Sequence, residues 1–163
     1  MIEQALKYAK DFGWAVFPIA ANSKIPHKGS RGFKDASADP DTIIELFNKY
    51  PDSNIAVATG AISGIFVLDV DDKNGYQGSV SLEELEKKFK AIPKTVRQIT
   101  PSGGRHYFFK YPENRIIRSS VSLLGPGLDI RAEGGYVVLP PSTINDKKYD
   151  WEKGFSPYET SLR

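Results

Sequence analysis

Apolar residues Ile2, Ala5, Leu6 and Ala9 recur at the three-and-four spacing of one helix face, and Gly13 supplies a stop for that helix. Trp14 to Ile19 (WAVFPI) follows as an apolar run of strand length. Asp39-Pro40 reads as an N-cap followed by proline at the first helical position. Ile43, Ile44, Phe47 and Tyr50 give that second helix its apolar face, up to Pro51. NIAVAT and GIFVLDVD predict two strands, and GAISG between them has hairpin length. Ser81-Leu82-Glu83-Glu84 has the form of a capping box and predicts a helix through Phe89. TVRQIT and RHYFFKY flank Pro101-Ser102-Gly103-Gly104 as one hairpin, and GLDIRA and GYVVLPP flank Glu133-Gly134 as a second. Between Ala20 and Asp39 there is no apolar period, only Gly, Pro, Ser and cationic residues, which predicts a long functional loop. From about Asn145 the chain is polar apart from Trp151, Phe155 and Tyr158. Helices early and strands late predict an α+β domain with a mostly antiparallel sheet.

Composition narrows the function classes. The 163 residues are 40% hydrophobic and 26% charged, ordinary globular usage for one domain spanning 1–163. Cys is absent, which excludes disulfides, thiolate nucleophiles and cysteine-ligated zinc. No apolar run approaches the roughly 20 residues of a membrane span, and MIEQALKYAK is not a signal peptide. A cytoplasmic protein without a membrane partner is the expectation. The net charge of +2 carries no message of its own, so any nucleic-acid footprint must come from local placement.

Three stretches can carry chemistry. Asp69-Val70-Asp71 closes an apolar strand, and alternation puts both carboxylates on one face. Two carboxylates about 4 Å apart repel by roughly 4 kcal/mol at an effective dielectric of 20. Such a pair holds a proton or recruits a cation, and oxygen ligands favour Mg²⁺ or Mn²⁺. The same residues, followed by Asp72-Lys73-Asn74-Gly75, also suit a solvated turn. Ser102-Gly103-Gly104-Arg105-His106 combines glycines that free backbone N–H groups with two side-chain donors, or is an ordinary hairpin with a packed His. Along that strand His106 and Phe108 share one face, Arg105 and Tyr107 the other. Asp129-Ile130-Arg131 puts a third carboxylate and a guanidinium on one strand face, as a surface ion pair or as a third ligand beside a phosphate-neutralising cation. In the long loop Lys24, His27, Lys28, Arg31 and Lys34 can follow a nucleic-acid backbone or lie in solvent. Tyr107, Phe108 and Phe109 form either a base-stacking face or core.

The order of these motifs resembles the N-terminal domain of the bifunctional primase–polymerase (Prim-Pol) family, within the archaeo-eukaryotic primase superfamily of plasmids, phages and other mobile elements. The resemblance rests on Gly13-Trp14-Ala15-Val16-Phe17-Pro18 with Lys24 and Pro26, on Ile65-Phe66-Val67-Leu68-Asp69-Val70-Asp71, and on Thr100-Pro101-Ser102-Gly103-Gly104-Arg105-His106. Gly127-Leu128-Asp129-Ile130-Arg131-Ala132-Glu133-Gly134-Gly135-Tyr136-Val137-Val138 completes it. It implies an RRM-like sheet with an N-terminal α/β unit, and two divalent ions (Mg²⁺ or Mn²⁺, no zinc) on Asp69, Asp71 and Asp129. It further implies nucleotide contact by His106, helped by Ser102 and Arg105. The partners implied are a single-stranded DNA template, nucleoside triphosphates and a helicase domain or protein. One departure is Gly104, where relatives often carry a small hydroxyl residue two before the His.

Template-directed nucleotidyl transfer is the leading expectation. Arg131 is expected to offset triphosphate charge, and Lys24, Lys28, Arg31 and Lys34 to hold DNA. A non-catalytic RRM-like binder of single strands and a metal-dependent nuclease are the alternatives. The two His residues, His27 and His106, build no paired-His metal motif. No G-x-x-x-x-G-K-[ST] is present for ATP-driven unwinding.

Overall fold

The computed structural model describes residues 1–163, in the order α1 (Ile2–Phe12), β1 (Val16–Ala20), a 3₁₀ turn (Gly32–Asp35), α2 (Pro40–Lys49), β2 (Ser53–Ala58), β3 (Ile65–Val70) and α3 (Gly78–Lys88). The strands β4 (Arg97–Ile99), β5 (Arg105–Lys110), β6 (Leu128–Arg131), β7 (Tyr136–Leu139), β8 (Thr143–Ile144), β9 (Lys147–Lys148) and β10 (Asp150–Trp151) complete it. The class is α+β, as expected. Three helices flank antiparallel sheets: a three-stranded one ordered β1-β2-β7, a five-stranded one ordered β10-β4-β5-β3-β6, and the small pair β8-β9. No helix is long and apolar enough to cross a membrane.

Both early helices form as their sequence signals predict. Gly13 takes φ 69 and its N–H bonds the Ala9 carbonyl, closing α1. Asp39 accepts from the Thr42 N–H at 2.9 Å and caps α2. The main core lies between the sheets and these helices. Ile65, Val67 and Phe108 of the larger sheet meet Val16, Ile55, Val57, Val137 and Leu139 of the smaller, with Tyr8, Ile43 and Phe47 above them. The opposite face of the larger sheet carries Leu68, Val70 and Leu128, which Leu82 and Leu85 of α3 cover.

Three local expectations are corrected. GAISG does not close a hairpin, because β2 already has β1 on one edge and β7 on the other, leaving β3 to build the second sheet. Glu133-Gly134 does not close one either. There the chain crosses from the larger sheet to the smaller, pinned by Thr59, whose N–H bonds the Gly135 carbonyl and whose hydroxyl bonds the Ala132 carbonyl. Ser81 is buried inside α3 and donates to the Pro126 carbonyl at 2.7 Å, so it caps nothing. The carboxylate that meets the start of α3 is that of Asp72, 2.8 Å from the Ser79 N–H. The tail, which the sequence leaves unplaced, packs against the rest of the chain. Trp151 pairs with Gln98 across β10–β4 and joins the main core, and the Arg163 carbonyl accepts from the Lys110 N–H.

Candidate active site

Strand register builds the site. Gln98 on β4, His106 on β5, Asp69 on β3 and Asp129 on β6 are successive Cα partners, forming one row across four strands. Because side chains at paired positions share a face, all four project toward the side where the two sheets meet. The main core fills that side lower down, with Val67 and Phe108 fully buried. Toward the Asp69 end the sheets part into a cleft of about 740 Å³, lined by Asp69, Asp71, Ser102, His106, Arg131 and Lys24 among the expected residues.

Distances define the electrostatics. His106 Nε2 lies 3.4 Å from Asp69 Oδ1, while Gln98 Nε2 meets His106 Nδ1 at 2.8 Å. Arg131 Nη2 stands 3.7 Å from Asp69 Oδ2 and 3.3 Å from Asp129 Oδ2, so one guanidinium serves both carboxylates. Asp129 Oδ1 also accepts from the Ser122 N–H at 3.0 Å. Burial pushes the Asp69 carboxyl up, but contact with His106 and the charges of Arg131 and Lys24 outweigh it, and the net shift is downward. Asp69 is therefore an anion at neutral pH. Tyr149, on the same wall, is pushed up to about 12 by burial, Asp69 and Tyr136, so it remains a phenol.

Donor chemistry and strand position bear on whether the three aspartates form a metal set. Oxygen-only donors on adjacent strands suit a hard divalent cation, and Arg131 shows that the Asp69–Asp129 pair accommodates positive charge between its carboxylates. In the arrangement seen, no three Asp, Glu or His side chains converge on one point. Asp71 turns to the Lys73 N–H at 3.0 Å, and Asp129 does not itself line the cleft. The donors fit; their present rotamers answer to Arg131, Ser122 and Lys73.

Several expected residues lie elsewhere. Arg105 projects from the opposite sheet face toward Glu152, 3.4 Å away, and does not line the cleft. The cations of the long loop are split. His27 stacks on Tyr50 at 4.3 Å and bonds Ser53 at 2.7 Å, pinning the middle of the loop against α2 and β2. Lys24 thus faces the cleft, while Arg31 and Lys34 line a separate depression beside Lys49, with Arg31 paired to Asp35 at 2.8 Å. Lys28 lines neither. Phe108 is core, and Phe109 stacks on Phe66, so the aromatic strand offers no continuous base-stacking face. Unforeseen members of the cleft wall are Lys73, Tyr136, Lys147 and Tyr149. Gln98, behind His106, was also unforeseen. Its signal is a polar residue at the position alternation assigns to the face of buried Val96.

An α+β frame of two antiparallel sheets parts over a carboxylate–histidine row into a cleft whose wall also carries Lys24, Lys73, Arg131 and Lys147. The chain belongs to the Prim-Pol family: residues 5–161 match the N-terminal domain of bifunctional DNA primase/polymerases. No curated protein matches it. Membership implies a nucleotidyltransferase-type enzyme with primase/polymerase activity.

Proposed function

We propose that the cleft performs template-directed nucleotidyl transfer, extending or initiating a DNA strand during replication of a plasmid, phage or other mobile element. Residues 1–163 act as one catalytic domain on an RRM-like primase core, in the cytoplasm. The observation that carries this reading is the cross-strand row Asp129–Asp69–His106, whose Asp69 and His106 line a cleft rich in cations, in a Prim-Pol chain.

Asp69, Asp71 and Asp129 would hold two divalent ions. Mg²⁺ or Mn²⁺ held there would supply a lowered pKa at a 3′-hydroxyl and positive charge beside pyrophosphate. The chain's own groups do the rest. His106 donates from Nε2 to a triphosphate oxygen of the incoming nucleotide, and Arg131, Lys73 and Lys24 offset its remaining charge. Ser102, at the tip of the β4–β5 turn, contributes a hydroxyl at the same wall. Single-stranded DNA template and nucleoside triphosphates are the substrates, and a helicase domain or protein is the working partner.

Primer extension with Mg²⁺ or Mn²⁺ tests the reading. Asp69→Asn and Asp129→Asn should each lower incorporation at least about 100-fold, with the melting temperature kept close to wild type. Wild-type incorporation by either variant would remove the metal assignment. Shortening of the primer by the unmodified protein would identify a nuclease instead.

A further inference from the structure

We propose that Gln98 is a positioning residue that fixes the tautomer of His106, so that the Nε2 proton is always presented to the cleft. The inference deepens the nucleotidyl-transfer reading, on which only its kinetic consequence rests.

Gln98 is fully buried, and its amide is oriented by an unambiguous partner. Its Nε2 lies 2.8 Å from the carbonyl oxygen of Val138, on the smaller sheet, an atom that can only accept. A flipped amide would set Oε1 against that oxygen, acceptor against acceptor. Nε2 therefore faces Val138, and its second hydrogen points to His106 Nδ1, also 2.8 Å away. Since Nε2 can only donate, Nδ1 must accept, and the neutral ring carries its hydrogen on Nε2. That nitrogen faces Asp69 Oδ1 at 3.4 Å, and a carboxylate or a phosphate oxygen there can only accept. In the other tautomer, two lone pairs would confront each other on the cleft side and two hydrogens on the Gln98 side. Gln98 leaves its own Oε1 without a partner in the buried interior. The row thus leaves one polar atom unsatisfied while both donors of Gln98 are used to tie His106 to the smaller sheet.

Nitrogen-15 NMR of the histidine rings reads this directly, and two histidines in the chain make assignment simple. In nucleotide-free protein His106 should show a protonated Nε2 and an unprotonated Nδ1. In Gln98→Leu, or Gln98→Met should Leu not fold, that preference should give way to a mixture of tautomers. Triphosphate KM should rise about tenfold or more, with a smaller change in kcat. A protonated Nδ1 in the unmodified protein, or an unchanged Nε2–H preference in a folded variant, overturns the inference. The ring measurement needs no turnover. A tautomer that responds to Gln98 in a protein without polymerase activity would uphold Gln98 as the positioning residue and reject the catalytic reading alone.

Discussion

Arg131 is the one group that touches two of the three aspartates. The guanidinium stands between the Asp69 and Asp129 carboxylates, 3.7 and 3.3 Å from their oxygens, and offsets the repulsion of two like charges on adjacent strands. Its side chain is 37% exposed, so solvent screens much of the gain. A divalent ion bound as proposed would compete with Arg131 for the same anionic pair. Arg131→Gln should tighten Mn²⁺ binding to the nucleotide-free protein about tenfold, about 1.4 kcal/mol, while weakening triphosphate binding. Calorimetric titration measures both, and unchanged Mn²⁺ affinity would show that arginine and metal do not share the site. Gly104 also acquires a reason at this scale. A Cβ there would stand 2.7 Å from the Val70 carbonyl, so the β3–β5 approach leaves no room for a larger residue. Residues whose role depends on strand alternation alone were legible: Asp69 with Asp71, Asp129 with Arg131, and His106 with Phe108 each share a face by period two, whereas the alignment of Asp69, His106 and Asp129 comes from the strand register. Arg105 was legible only as pointing away. Its partner Glu152 comes from 47 residues further along, and no local pattern announces that contact.

At the scale of elements, the ends of β3, α3 and β6 meet through backbone rather than side chains. Asp71 donates its N–H to the Gly127 carbonyl and accepts at its own carbonyl from the Gly78 N–H. A Cβ on Gly78 would lie 2.8 Å from both the N and the O of Asp71, and Gly127 holds φ +76. These two glycines let α3 start against the end of β3, and that is why the helix begins at Gly78 rather than at the apparent capping box. Hairpin expectations failed for a related reason: spacing shows that two strands are near in sequence, but edge availability decides whether they pair. The long loop illustrates the same point. Bridges of Pro26 to Ile19 and of Ser37 to Val16 lay it along the outer edge of β1, and His27 fixes its middle. Burial lowers the His27 pKa from 6.5, with a backbone bond to Ile19 opposing the shift in part. The unfolded chain therefore binds this proton more tightly than the native state. The stabilisation is full above about pH 6.5 and is lost as pH falls toward the lower native value. Melting temperature should consequently fall between about pH 7 and 5.5, and His27→Gln should flatten that slope. An equal slope in both proteins would place the titrating group elsewhere.

Considered as a whole, the molecule makes its cleft from a gap between sheets, so whatever holds the sheets together also holds the site. Net charge of +2 cannot do that, and no disulfide or long helix clamps them. Aromatic packing does. Trp14, just before β1, stacks on Phe108 of the larger sheet at 5.9 Å. Trp151 stands 5.5 Å from Phe108, 6.4 Å from Trp14 and 6.2 Å from Tyr8, and its indole N–H reaches the Tyr8 hydroxyl. The polar composition after Asn145 concealed this, because a single indole at the right register outweighs many solvated neighbours. Trp151 is also the Cα partner of Gln98, which places it at the end of the row that runs through His106 to Asp69. Trp151→Ala should therefore cost about 3 kcal/mol, near the low end for tryptophan because the side chain is only partly buried. In a domain of this size that corresponds to a melting temperature lower by roughly 6–12 °C. If residues 1–163 form one cooperative unit, calorimetry will show a single shifted transition, and primer extension will vanish with it on heating. A separate low-temperature transition that spares primer extension would mean that the tail melts alone and that the cleft is supported without it.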